Sequence, residues 1–280
     1  MTSPSKTRKF SARRRLRPGS SRSARDAKAL WERALDVWED FEERGLDYHR
    51  DVVHGPALLD ALGPVRGLRV LDLGCGQGRF TRQIAQRGAR VLALDWSRAM
   101  VSAARRHERE RPLGIDYRCL DARSALRIGP RGTFDRVVSC MALDNMPDLS
   151  RVLRAAHALL RPGGRLVFSV SHPLNSAAQG WEHPSLSDRG AMLVDRYFEE
   201  GVRLTEWRMA RLKRPFDTLY WHRTFETWFA QLHRAGFRVD SLTEPHATAA
   251  QARRLPALRG TRRVPFFLVI GARRVSPNDG

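Results

Sequence analysis

The stretch Val70-Leu71-Asp72-Leu73-Gly74-Cys75-Gly76-Gln77-Gly78-Arg79-Phe80 decides how the chain is read, because it sets three glycines at alternate positions directly after a short apolar strand. Glycine opens backbone torsions closed to residues with a Cβ and clears a path by which a ligand can approach the main chain. Asp72, near the strand's carboxyl end, can accept hydrogen bonds from a cationic or hydroxylated ligand. A tight strand-to-helix turn without a ligand is the alternative, and the density of glycine argues against it.

Two phosphate-binding patterns are excluded. The nicotinamide pattern G-x-G-x-x-G from Gly74 needs its third glycine where Arg79 stands, and the Walker A pattern needs a Gly-Lys-Ser/Thr ending that is absent. The segment resembles motif I of the class I S-adenosylmethionine-dependent methyltransferases, of the small-molecule, type 11/25-like kind. That resemblance implies a ligand presenting a carboxylate, an ammonium, a sulfonium and a ribose: S-adenosyl-L-methionine, with S-adenosyl-L-homocysteine as product.

A chain of 280 residues can bury one α/β core with additions. No run of about 18 apolar residues suggests a membrane span, and the N-terminus lacks the apolar middle of a secretory signal, so a cytoplasmic, bacterial enzyme is expected. Cys75, Cys119 and Cys140 are widely spaced with no metal-ligand pairing; no metal is expected, and the thiols are read as reduced and mostly buried. The net charge of +20 invites a nucleic-acid reading. Lysine stands only at positions 6, 9, 28 and 213, so the arginine excess reads as coding bias in a GC-rich genome as much as a selected basic face. The concentrated basic block, residues 1–28 with the single acid Asp26, reads as a disordered arm.

Helical spacing of Leu30, Trp31, Leu35, Trp38 and Phe41 predicts a helix from about Asp26 to Arg44, and a second covers Asp51 to Leu62. Residues 29–66 form a helical cap on a methyltransferase domain over 67–274. Strands are expected at Arg69–Leu73, Val91–Asp95, Ile115–Leu120, Arg136–Cys140, Arg165–Val170, Phe237–Leu242 and Pro265–Ala272. Helices are expected over Arg79–Arg87, Ser97–Glu108, Asp148–Leu160, Thr224–Ala235 and, shorter, within Ala247–Leu258. The alternation implies an α/β, Rossmann-like, doubly wound, mostly parallel sheet of seven strands with helices on both faces and ligands at the strands' carboxyl ends. An insertion at about 171–222 reads as a lid, with a hairpin pairing Met192–Phe198 and Val202–Met209 around Glu199-Glu200-Gly201; residues 275–280 read as a disordered tail.

Asp95, about 20 positions beyond the glycines, stands where a doubly wound site holds ribose hydroxyls; capping the next helix is the alternative use. Trp96 can lie against adenine, and Met100, one turn on, can cover its face. The resemblance extends over roughly Leu30 to Arg274. It implies that Asp121 and the Ala122 amide read the adenine edge, and that Phe134–Asp148 flanks the sulfonium with Cys140 and Met141. The Asn/Asp-Pro-Pro-Tyr/Phe tetrad of base-directed amino-methyltransferases is missing, and Cys140 lacks the Pro-Cys context of C5 enzymes. A small organic acceptor, methylated on oxygen, nitrogen or carbon by in-line displacement, is therefore expected. An RNA methyltransferase using the basic arm, a non-catalytic S-adenosylmethionine-binding protein and a nicotinamide oxidoreductase are the rival readings. If the nucleophile carries a proton of high pKa, His172 is the first candidate base, with His222, Asp144, His49 and Glu244 as alternatives; Tyr48 and Arg50 could close over the cofactor's carboxylate and the substrate.

Overall fold

The computed structural model describes residues 24–182, 190–209 and 211–275. Helix α1 (Ala24–Glu43) leads through a π-helical turn (His49–His54) into α2 (Gly55–Leu62). The alternating core follows as β1 (Arg69–Leu73), α3 (Arg79–Gln86), β2 (Arg90–Asp95), α4 (Arg98–Glu110) and β3 (Asp116–Cys119). A 3-10 turn (Ala122–Ile128) precedes β4 (Phe134–Cys140), α5 (Leu149–Leu159) and β5 (Leu160–Ser171). The insertion holds α6 (Pro173–Ala177), β6 (Ala178–Trp181), β7 (Met192–Val194), β8 (Gly201–Trp207) and β9 (Phe216–His222). The chain closes with α7 (Phe225–Arg234), β10 (Phe237–Thr243), α8 (Ala249–Arg254), a 3-10 segment (Pro256–Arg262) and β11 (Phe267–Arg274).

Seven strands form one sheet in the order β10-β11-β5-β4-β1-β2-β3, with β11 antiparallel to both its neighbours and the other pairs parallel. Period-two alternation sends successive side chains to opposite faces and so divides the core. Leu71, Leu73, Val137, Phe168 and Ile270 pack on one face with Leu153 and Leu159 of α5 and Trp228 and Leu232 of α7. Val70, Ala93, Val138, Val167 and Val269 pack on the other with Leu58 and Leu62 of α2, Ile84 of α3 and Val101 of α4. Strand order reverses at β1, which has β2 on one side and β4 on the other; this switch point leaves a crevice at the strands' carboxyl ends.

The expected hairpin does not form. β8 pairs antiparallel with β9, and Met192–Val194 pairs with Ala178–Trp181. Arg196 takes a positive φ of 54° inside the first expected arm, and the Glu200 carboxylate is drawn to α7, where it accepts from Thr224 N–H and Oγ1 at 2.7 Å each. The expected Asp51–Leu62 helix instead begins as a π-helical turn at His49. Gly55 permits it: a Cβ there would lie 2.5 Å from the Arg50 carbonyl oxygen, whose partner is the Gly55 N–H. Helix α1 starts at Ala24, inside the segment read as an arm, and Cys119 is exposed. The expectations for residues 1–23, 183–189 and 276–280 fall outside the described residues. Among the described residues, no helix is long and apolar enough to cross a membrane.

Candidate active site

At the switch point the glycines do different things. Gly74 (φ 79°) lets the tip of β1 meet the segment after β4, since a Cβ there would lie 2.4 Å from Ala142 Cβ. Gly78 (φ 87°) admits Tyr117 of β3, whose hydroxyl would stand 2.3 Å from a Cβ. The loop is pinned by Asp95, whose Oδ2 accepts from Gly76 N–H (2.9 Å) and Oδ1 from Ser97 N–H (2.8 Å). Asp95 is not the cap of α4; Ser97 is, accepting from Met100 N–H.

A cavity of about 1040 Å³ opens over this loop. Asp72, Gly74, Cys75, Gly76, Asp95, Trp96, Met100, Asp121, Ala122, Cys140 and Met141 all line it. Gly78 does not, because its free side is filled by Tyr117. Burial pushes the Asp72 carboxyl up to about 7, the Thr81 hydroxyl bond (2.6 Å) working against it and the nearby Asp95 charge with it. Burial likewise lifts Asp95 to about 6 and the Cys140 thiol to about 12, so Cys140 is a neutral thiol rather than a nucleophile. Asp121 differs: burial works to raise it, yet Arg123 outweighs burial and holds it low through bonds to both carboxylate oxygens, the shortest 2.6 Å. Met141 takes a positive φ of 52° at the end of β4, a strained conformation for a residue with a side chain, held by its N–H donating to Ser169 O (2.9 Å).

Beside the glycine loop, Glu42 at the end of α1 bonds Arg50 and Gln77, while Arg79 bonds the Glu42 carbonyl and, at 2.8 Å, Asp51. Three polar atoms on this side are buried without partners: Asp72 Oδ1, Arg50 Nη2 and Gln77 Oε1. The other side is aromatic. Trp31 and Trp38 of α1, Trp207 and Tyr220 of the β8–β9 hairpin, and Phe266 and Phe267 at the start of β11 line it. Trp38 stacks on Phe41 and meets Trp207 edge-on with ring centroids 5.4 Å apart.

A family model described as "Methyltransferase domain" matches residues 71–168. A solved S-adenosylmethionine-dependent methyltransferase from Mesorhizobium loti is 36% identical over 78% of this chain and 96% of that one, with a TM-score of 0.66. The chain belongs to the S-adenosylmethionine-dependent methyltransferases. A second such structure, described as a putative S-adenosylmethionine-dependent methyltransferase from Listeria monocytogenes, is 28% identical over 79% of this chain and 96% of that one, with a TM-score of 0.64. A ubiquinone biosynthesis O-methyltransferase of Pseudomonas aeruginosa is 38% identical over 112 residues, 40% of this chain and 48% of that protein. The chain spans about half the length of the curated relatives it matches.

Within this methyltransferase the expected bases separate. His172 and His222 lie outside the cavity lining, and both rings are locked. His172 Nδ1 accepts from Leu174 N–H (3.2 Å), capping α6, so a neutral ring carries its proton on Nε2, which donates to Glu244 Oε1 (2.9 Å). His222 Nε2 donates to the Tyr197 carbonyl (2.7 Å), and its Nδ1 meets the Ser176 hydroxyl (2.6 Å). Burial lowers the pKa of each, and neither keeps a free lone pair. Glu244 is engaged with His172 outside the lining. Asp144 does line the cavity, with Oδ2 accepting from Ser171 N–H (3.1 Å) and Oδ1 from Asn145 Nδ2 (3.1 Å). Burial raises its pKa. His49 also lines it, stacked on Phe266.

Sequence reasoning missed the Glu42–Gln77 link, the aromatic side and Arg223. The buried Arg223 guanidinium, lowered to about 10 by burial, donates to the Met146 carbonyl (2.6 Å) and so fixes the loop after β4. Trp31 and Trp38, seven residues apart on α1, were a readable signal for one face of a helix; that the face bounds a cavity was not readable.

Proposed function

We propose that this methyltransferase transfers a methyl group from S-adenosylmethionine to a hydroxyl of a small, largely aromatic acceptor. One observation carries the reading: the cavity has two unlike sides, one with unpartnered buried polar atoms beside a glycine loop and one of aromatic rings. The residues present fit the donor. Arg50 Nη2 is a spare cationic donor suited to a carboxylate, Asp72 Oδ1 a spare acceptor suited to an ammonium, and Asp95 keeps further lone pairs for ribose hydroxyls. Trp96 and Met100 supply apolar faces for adenine, and Ala122 the adjoining backbone. The Asp121 carboxylate, already committed to Arg123, has the least left to offer adenine.

When bound, the donor supplies an electrophilic methyl on a sulfonium, which is displaced in line. The protein's share is alignment to about 3–3.5 Å and exclusion of water. Cys140 and Met141 at the tip of β4 bound the crevice, and α1 with the β8–β9 hairpin covers the aromatic side. The oxygen acceptor draws support from the O-methyltransferase similarity and from the aromatic lining, a surface for planar rings.

Calorimetry with S-adenosylhomocysteine, then methyl-labelled S-adenosylmethionine offered to a panel of phenols, catechols and hydroxyquinones, tests this. Saturable binding and label transfer to at least one hydroxyl are expected. Absence of binding at millimolar ligand removes the donor assignment; binding with no labelled product from the panel removes the hydroxyl assignment.

A further inference from the structure

We propose that His49 is the residue that accepts the acceptor's hydroxyl proton, an assignment that rests on the reading of the cavity as a hydroxyl-methylating site. The candidates on other elements are engaged: His172 and His222 lie outside the lining and use both ring nitrogens, and the Asp144 carboxylate is held in place by an N–H donor on each oxygen. His49 is different. It lines the cavity, the residue as a whole is half-buried, and its Nε2 is buried without a hydrogen-bond partner.

Its placement also follows from the fold. The π-helical turn directs His49 onto Phe266 (centroids 5.9 Å apart, planes 22°) and Phe267 (5.8 Å), so two rings at the start of β11 hold the imidazole. The neighbours Tyr48 and Val53 pack in one cluster with Met141 and Phe266. Met141 directly follows β4, and the next residue, Ala142, fills the space left open by Gly74. His49 therefore stands on the aromatic side close to where the β1 and β4 tips meet, the place where methyl and acceptor must come together.

The chemistry suits a neutral imidazole. Burial depresses the ring to about 4, which leaves it unprotonated with a lone pair available at neutral pH. A base that weak does not strip a proton from a resting phenol, and it need not. As the acceptor oxygen forms its bond to the methyl carbon, the S–C bond breaks with its electron pair going to sulfur, and the hydroxyl becomes strongly acidic. The proton then passes to a His49 ring nitrogen and on to solvent, and charge balances. His54, on the same turn, lines the cavity too and has an unpartnered nitrogen, but the residue is 3% exposed and lies against Phe267 at 4.5 Å, whereas His49 is half-buried.

The test compares His49→Gln with wild type using catechol, 4-nitrocatechol and the other hydroxyl compounds of the panel as probes, with S-adenosylhomocysteine affinity as a check on the fold. His49→Gln should reduce kcat for catechol by about a hundredfold, within the usual range for a proton-transfer group. The loss should shrink to under about fivefold for the more acidic 4-nitrocatechol, which needs less help to ionise. A loss below about threefold on every probe, or an equal loss on both catechols, overturns the assignment. A second readout needs neither turnover nor a variant. With wild-type protein carrying 15N-histidine and saturated with S-adenosylhomocysteine, 4-nitrocatechol should shift the His49 ring-nitrogen resonances and leave those of His222 in place. Binding of the probe without a His49 shift overturns the assignment too. A wild type that binds S-adenosylhomocysteine but methylates no hydroxyl in the panel removes the hydroxyl reading, and this assignment falls with it.

Discussion

Donor-site affinity should be strongly linked to pH, because the two carboxyls facing the proposed ligand are held partly protonated when the site is empty. Asp95 sits at about 6 and Asp72 at about 7, both raised chiefly by burial. Ribose hydroxyls and an ammonium are donors, so they require the ionised forms, and binding must expel whatever protons the empty site carries. At pH 5 only about a tenth of Asp95 is ionised, which weakens binding about tenfold relative to pH 7, or about 1.4 kcal/mol. If Asp72 must also ionise, the loss grows by roughly a further fiftyfold, and since the Asp95 charge raises Asp72 the two titrate as a pair. Calorimetry with S-adenosylhomocysteine across pH 5–7 should therefore show a tenfold to few-hundredfold weakening toward acid (about 1.4 to 4 kcal/mol). At pH 6, buffers of different ionisation enthalpy should report release of between about 0.5 and 1.5 protons. Near-ultraviolet circular dichroism at pH 5 checks that the fold survives. Asp95→Asn, which cannot titrate, should remove the tenfold component of the slope. An affinity that moves less than about threefold over this range, with no proton release, refutes the reasoning.

Gly78→Ala should cost about 2–4 kcal/mol in urea unfolding, since a Cβ meets the Tyr117 hydroxyl at 2.3 Å on a residue with φ 87°; Tyr117→Phe, which deletes an unpartnered buried hydroxyl, should be near neutral alone and recover part of that loss. His54 is depressed to about 3 by burial, below its unfolded value, so the unfolded chain binds the extra proton and stability falls as pH drops from about 6.5. His54→Leu should abolish a share of that acid sensitivity worth about 2 kcal/mol between pH 8 and pH 5, read as a smaller drop in Tm over that range than wild type shows. His172→Gln should lower Tm through loss of the α6 cap and the Glu244 contact while leaving kcat on a methylated probe within about threefold; a kcat loss above about thirtyfold at unchanged donor affinity contradicts its structural assignment.

The proposed donor half of the site was legible as a place in the fold because its determinants are local. Asp72, Gly74, Gly76 and Asp95 are set by a strand, a turn that only glycine can make, and the end of the next strand, and the structure brings all four to one cavity. Gly78 shares their spacing but faces Tyr117, a distinction between ligand contact and packing that spacing does not carry. The lid was misread at its pairing. Val202–Met209 has the alternation of a strand, and so does Phe216–His222; the two pair while Glu200, just ahead of β8, is held by the start of α7.

The amino-acid sequence by itself determined the seven-stranded doubly wound architecture and the position of the ligand loop, because strand alternation, helical spacing and glycine torsions act within a few residues of one another. Only the tertiary structure decided which ring nitrogens of the candidate histidines find a polar partner. His172 is silenced by Glu244, 72 residues away, and His222 by Ser176, 46 residues away, while His49 meets two phenylalanines and no polar partner at Nε2. An imidazole's chemistry depends on which groups occupy its two nitrogens, and those groups are supplied by chain segments that folding alone brings together.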